Sequence, residues 1–297
     1  VVSHTFFSIC LPLPDTGGFF MPFFSVKGTA IFRKIRNTQP LIHLITNPVT
    51  MNDVVNLVLA SGAAAICADS PLEAAEISEL ADATVLNIGM PSESKLESML
   101  AAGKKANALG HPLILDPVGA GASEFRRRIL QTLLENLHLT CIRGNQSEMA
   151  ALLGMSYPSR GVEEAGICLE PALLQKLAER YDTVLAVTGD TDITVSKDQV
   201  LVSHTGTPLQ KRITGSGCML SAFLGAALAG SMAPPTSPGE QVLRLTDTAG
   251  IVSLVHETVE VYGSLASQAE AEMEASSRHG TMEFRSRLID IVSTAGL

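Results

Sequence analysis

The chain has 297 residues, 46 % of them apolar and only 4 % aromatic, so a core of Ala, Leu, Ile and Val is expected, as in helix-on-sheet packing within one large α/β domain. A formal net charge of -9, with no basic cluster larger than Arg126 to Arg128, argues against nucleic acid or an anionic membrane as the main partner and for a small molecule. Five cysteines, odd in number and without a CxxC pair, suggest neither a disulfide framework nor a zinc site and fit a reducing cytoplasm.

In chain order, residues 1–39 read as an N-terminal extension without assigned function. Its apolar stretch "FFSICLPLPDTGGFFMPFF" follows no Lys or Arg, and proline and glycine interrupt it throughout, which suits neither a secretory signal nor a membrane span. From Pro40 to the end the pattern reads as one domain. Short β-branched runs at 41–46, 63–67, 83–89, 112–116, 139–144 and 182–189 predict strands that each end in a polar or glycine-rich turn. Between them, windows at 51–62, 70–82, 94–110, 124–137, 145–154 and 170–181 carry apolar residues at helical spacing. Such alternation is that of βαβ units around a largely parallel sheet. After residue 189, "DITVS" and "QVLVSH" around "KD" predict a hairpin, hence antiparallel strands at one sheet edge. Beyond Gly217 the chain is helical, interrupted near 233–239 and 277–281. Residues 155–170 form the longest patternless stretch, a surface excursion or a lid.

Ligands of open α/β sheets bind beyond the carboxyl ends of the strands, and the polar residues there are Thr46 and Asn47, Cys67 and Asp69, Asn87, Asp116, Arg143 with Asn145 and Glu148, and Thr188 with Asp190. This is an inventory suited to a nucleotide and a metal. Asp116 in "ILDPVGAGA" reads either as a turn former before Pro117 or as a carboxylate for Mg²⁺. Asn145 and Glu148 have the spacing of a capping box, which is equally a structural device. In "TGSGC", Gly215, Ser216 and Gly217 open a helix, where backbone N–H groups and the macrodipole make an anion nest. The spacing is neither that of a P-loop nor that of a dinucleotide fingerprint. Cys218 is either a small core residue of an Ala-rich helix or a thiol whose pKa the helix start lowers, able to take a proton from a substrate hydroxyl. Histidines without ligand spacing read as structural or solvated, and Ser221 lacks the elbow of a serine hydrolase.

Taken in order, "LIHLITNPVTMNDVVNLVLASGA", "VLNIG", "LILDPVGAGA", "IRGNQSE", "AVTGD" and "TGSGCMLSAFLGA" resemble the hydroxyethylthiazole kinases of thiamine biosynthesis, from about Pro40 to the C-terminus. The resemblance implies a ribokinase-like three-layer α/β/α fold, with a mostly parallel central sheet and an antiparallel edge. It implies transfer of the ATP γ-phosphoryl group to the primary alcohol of 4-methyl-5-(2-hydroxyethyl)thiazole, with Mg²⁺. By that likeness Arg143 and Thr188 contact ATP, Asp116 and Glu148 serve the metal and phosphates, and Gly215, Asn47 and Cys67 face the thiazole. Cys218 stands where sugar kinases of the fold carry a general-base Asp. A cytoplasmic homotrimer with active sites between subunits is also implied.

Two positions depart from the family pattern: Cys67 replaces a frequent methionine, and Asp190 a usual glutamate. Within the fold, a hydroxymethylpyrimidine kinase or a nicotinamide-nucleotide hydrate dehydratase is the rival, and both usually show Asp at the position of Cys218. A non-catalytic binder is the rival of another class, and the metal carboxylates speak against it.

Overall fold

The computed structural model describes residues 26–155, 168–235 and 241–296. Strands β1 (Leu41–Ile45), β2 (Ala64–Cys67), β3 (Ala83–Asn87), β4 (Leu113–Asp116), β5 (Cys141–Asn145), β6 (Val184–Thr188), β7 (Asp192–Val195) and β8 (Val200–Ser203) form one sheet in the order β2-β1-β3-β4-β5-β6-β7-β8. Pairings from β2 through β6 are parallel, and the β7–β8 hairpin closes the far edge antiparallel, as its sequence predicts.

Apolar residues on both strand faces make this a three-layer structure. Ile42, Leu44, Val85, Ile114 and Ala186 point into one core, under helices α1 (Val26–Thr38), α2 (Met51–Ser61), α8 (Ser216–Met232), α9 (Thr248–Ala275) and α10 (Thr281–Thr294). Their alternates Ile45, Leu86, Leu115 and Leu185 point into a second core, under α4 (Glu93–Leu109), α5 (Glu124–Asn136), α6 (Gln146–Leu152) and α7 (Pro171–Tyr181). Ser92 and Ser123 cap α4 and α5 by accepting from the N–H groups of Lys95 and Arg126. Helix α8 is buried on every side, which explains its run of Ala, Gly and Leu without a charge.

Two sequence expectations need correction. The domain does not begin at Pro40: Ile31, Phe32 and Ile35 of α1 are fully buried against α8, where Phe32 stacks on Phe223 with ring centroids 5.4 Å apart. Each such side chain contributes about 1.5–3 kcal/mol of burial free energy, so α1 is part of the folded body rather than an appendage. The helix predicted from Ser70 is α3 (Ala74–Leu80), because Pro71 to Glu73 form a turn whose N–H groups bond back to Ser70. The excursion at 155–170 falls mostly on residues 156–167, outside the described residues. No helix among the described residues is long and apolar enough to cross a membrane.

From β1 the chain runs outward to β2 and returns to β3 on the other side of β1, so a crevice opens between the carboxyl ends of β1 and β3. Asn47 and Asn87 stand at that crevice.

Candidate active site

Parallel register sets the first part of the site. Asn87 and Asp116 are partners across β3 and β4, as are Asn145 and Thr188 across β5 and β6, so the strand-end polar groups lie at one level. Asn87 is the hub: its Nδ2 donates to Asp116 Oδ2 at 2.8 Å and lies 3.2 Å from Cys218 Sγ, while its Oδ1 accepts from Asn47 Nδ2 at 3.1 Å and from the Gly89 N–H at 2.9 Å. Asn47 Nδ2 also lies 3.7 Å from Cys218 Sγ.

Asp116 is fully buried. Ser221 Oγ, one turn into α8 from Cys218, donates to the same Oδ2 at 2.9 Å, and Oδ1 has no hydrogen-bond partner. A buried carboxylate oxygen without a donor is costly, and a cation or its water at Oδ1 would satisfy it. Burial raises the pKa of Asp116, opposed by the charge of Arg143 and by the bonds from Ser221 and Asn87.

Glu148 faces the same end of the sheet from the first turn of α6. Its Oε2 accepts from the Asn145 N–H at 2.8 Å while Asn145 Oδ1 accepts from the Glu148 N–H at 2.9 Å, a complete capping box. Oε1 accepts from the Gly119 N–H at 2.9 Å, tying the β4 loop to α6. The structural reading of this motif is thereby realised in full. Burial, and then the charge of Asp116, push the Glu148 carboxyl up to about 7.

The anion nest lies at the start of α8. Gly215 has φ +89°, a left-handed conformation that favours glycine, and turns the chain into the helix. Gly217 leaves room for Arg143: a Cβ there would fall 2.0 Å from Arg143 Nη1 and 2.7 Å from its Cζ. Thus the guanidinium lies against the first turn of the helix, fixed by Nη2 donating to Thr188 Oγ1 at 2.6 Å. Its buried Nε has no protein partner. Positive charge and a helix N-terminus at one spot make a strong oxyanion site.

Most of the sequence-predicted residues are brought together here, with four differences. Ser216 lends the nest its backbone alone, since its hydroxyl meets the buried Tyr262 OH at 3.2 Å, and that phenol donates to Ser216 O at 2.9 Å. Cys218 does not acquire a lowered pKa: burial, then the charge of Asp116, push its thiol up to about 11. Cys67 is exposed at the end of the edge strand β2 and is no member of the hydrogen-bonded cluster. Asp190 turns outward and pairs with Lys211 at 2.5 Å. Tyr262 and Ser221 were not assigned from the sequence. For Ser221 the signal was its i, i+3 relation to Cys218, which puts both on one helix face.

A profile of the hydroxyethylthiazole kinase family matches residues 32–294. The chain is 43 % identical over 204 residues to a hydroxyethylthiazole kinase of Alkaliphilus metalliredigens, spanning 68 % of this chain and 75 % of that one. A solved structure of hydroxyethylthiazole kinase from Pyrococcus horikoshii OT3 superposes with a TM-score of 0.71 at 32 % identity, covering 90 % of this chain and 92 % of that one. A ribokinase-like superfamily protein from Enterococcus faecalis V583 shares the fold, with a TM-score of 0.54 at 12 % identity over 90 % of this chain and 94 % of that one.

Proposed function

The chain belongs to the hydroxyethylthiazole kinase family, and we propose that it transfers the γ-phosphoryl group of ATP to the primary hydroxyl of 4-methyl-5-(2-hydroxyethyl)thiazole, a step of thiamine biosynthesis or salvage. The observation that carries the chemical part is the guanidinium of Arg143 lying on the start of α8, next to buried carboxylates one of which keeps an unpartnered oxygen.

In this reading the transferring phosphoryl group sits in the nest of Gly215 to Gly217. Arg143 and the helix N–H groups stabilise its equatorial charge, and Thr188 holds the guanidinium in place. Asp116, through its free Oδ1, and Glu148 are the residues that would hold Mg²⁺, directly or through water; the donor set is all oxygen and anionic, as that cation requires. When bound, Mg²⁺ supplies charge neutralisation on the phosphates. Asn47 and Cys218 meet the acceptor alcohol from the β1 side. With a thiol raised to about 11, Cys218 is a weak base at neutral pH and positions the hydroxyl more than it deprotonates it. A loose phosphoryl-transfer transition state tolerates this, because the alcohol proton leaves after the P–O bond to ADP has lengthened.

We further propose a cytoplasmic homotrimer with sites between subunits. Support comes from Val49, Leu59, Leu72, Leu80 and Met90, exposed apolar side chains between the end of β1 and the turn after β3, where Cys67 also lies exposed. Among the described residues, the four cysteines Cys67, Cys141, Cys168 and Cys218 are free, which suits a reducing compartment.

The test is incubation with ATP, Mg²⁺ and a panel of the thiazole alcohol, hydroxymethylpyrimidine and hydrated NADH, with products identified by mass. Expected products are ADP and the thiazole phosphate; phosphorylated pyrimidine alone, or dehydrated NADH, would refute the reading.

A further inference from the structure

Helix α4 carries a lysine where a helix favours one least. Lys95 stands in the first turn, at the positive end of the macrodipole, and is only 8 % exposed. Burial lowers its pKa and the charge of Asp69 opposes the shift. A buried ammonium in that position weakens the helix unless it holds something else. Lys95 Nζ donates to Thr46 O at 2.9 Å and lies 3.8 Å from Asp69 Oδ2. Thr46 directly precedes Asn47, which touches Asn87 and Cys218; Asp69 lies two residues after Cys67 in the loop that leaves β2.

Other buried groups fasten the same loop. Ser98, one turn further along α4, donates to Asp69 O at 2.6 Å. His43 Nε2 lies 2.8 Å from Ala68 O and its Nδ1 lies 2.8 Å from Ser78 Oγ. A carbonyl accepts only, so Nε2 carries the proton and Nδ1 accepts from Ser78. Both the β1 turn with Asn47 and the β2 loop with Cys67 are thereby tied to α4. Lys95 bridges them and bonds to none of Arg143, Thr188 or Gly215 to Gly217.

We infer that Lys95, acting with Asp69, is a positioning residue for the acceptor side of the site alone, resting on the reading above of Asn47 as an acceptor contact and on the family resemblance that places Cys67 beside the acceptor. It fixes the distance between the two loops that the alcohol must fit and leaves the nucleotide side untouched.

Lys95→Met and Asp69→Asn, singly and combined, test this by steady-state kinetics with each substrate varied. The acceptor KM rises about tenfold in Lys95→Met and about threefold in Asp69→Asn, with the ATP KM within about twofold of wild type. The double variant is no worse than Lys95→Met, because the pair acts as a unit. Acceptor and ATP KM rising together, or an unchanged acceptor KM, overturns the inference. Should Lys95→Met fail to fold, Asp69→Asn, at a half-exposed position, decides by the same criterion. The acceptor is whichever panel alcohol the wild type phosphorylates, so inactivity on hydroxyethylthiazole counts against the functional reading and leaves the KM comparison to decide this one.

Discussion

Gly217→Ala isolates the contact between Arg143 and the start of α8. The new methyl group would lie 2.0 Å from Nη1 and 2.7 Å from Nη2 of Arg143, against an ordinary contact distance of 3.4 Å or more. Gly217 has no positive φ and the atoms in the way are the tip of a flexible side chain, so the backbone stays and the guanidinium moves by more than about 1 Å. The 2.6 Å bond to Thr188 does not survive such a shift. Losing a hydrogen bond to a charged group costs about 1.5–3 kcal/mol, or about 10- to 100-fold in kcat/KM for ATP. Stability should hold or rise by a few tenths of a kcal/mol, since Ala is the better helix former. An ADP-release assay with ATP varied, paired with a thermal melt, reads both. Combining the change with Arg143→Ala removes the alternative that the methyl group blocks the phosphate directly: the double variant should match Arg143→Ala. A Gly217→Ala enzyme with ATP kcat/KM within about twofold of wild type refutes the placement of Arg143 at the phosphates.

Asp116→Asn should abolish turnover yet leave the fold as stable or stabilise it by about 1 kcal/mol, since an amide removes a buried charge and replaces the unpartnered oxygen; thermal melts and single-turnover assays check this pair of outcomes. Glu148 predicts a pH dependence. Its folded pKa of about 7 lies above the ordinary 4.5, so the contribution to stability is whole below about 4.5 and is lost as pH rises through 7. Added Mg²⁺ should accordingly raise the melting temperature more at pH 8 than at pH 5.5, and an equal rise at both would remove Glu148 from the metal site. For Cys218→Ala a fall in kcat of no more than about tenfold is expected, whereas loss comparable to Asp116→Asn would make the thiol an essential base. Cys218→Asp should keep or raise kcat while lowering the melting temperature, because a second carboxylate then faces Asp116.

The sheet was readable because its strands are buried on both faces: in "LILD" the side chain of Ile114 enters one core and those of Leu113 and Leu115 the other, so a short unbroken apolar run could only be a central strand. Helix α1 was missed although its signal is present. Ile31, Phe32 and Ile35 share a face and Arg33 is exposed, but an irregular apolar stretch precedes them and drew them into the supposed extension. Strand-end positions gave Asn47, Asp116, Arg143 and Thr188 because a parallel sheet aligns its carboxyl ends whatever the loops do. Lys95 could not be found that way: a lysine in the first turn of an amphipathic helix reads as solvated, and only the fold shows Thr46 O above it.

The direction of the thiol shift was the least readable property of all, because burial and one charged neighbour oppose the helix start. The macrodipole argument treats Cys218 as facing an open N-terminus, whereas the residue is buried and Asp116, distant in sequence, approaches through Asn87. A neutral side chain at this position has a consequence that an aspartate would not share. Asp116 already raises the protonation of Glu148, and a third carboxylate would offset part of the positive potential that Arg143 and α8 present to phosphate. With a thiol there, that potential is left for the anion, and any cation that neutralises Asp116 also removes the second cause of the raised thiol pKa. On the proposed reading, the thiolate fraction at Cys218 would then be larger with the metal site filled than with it empty.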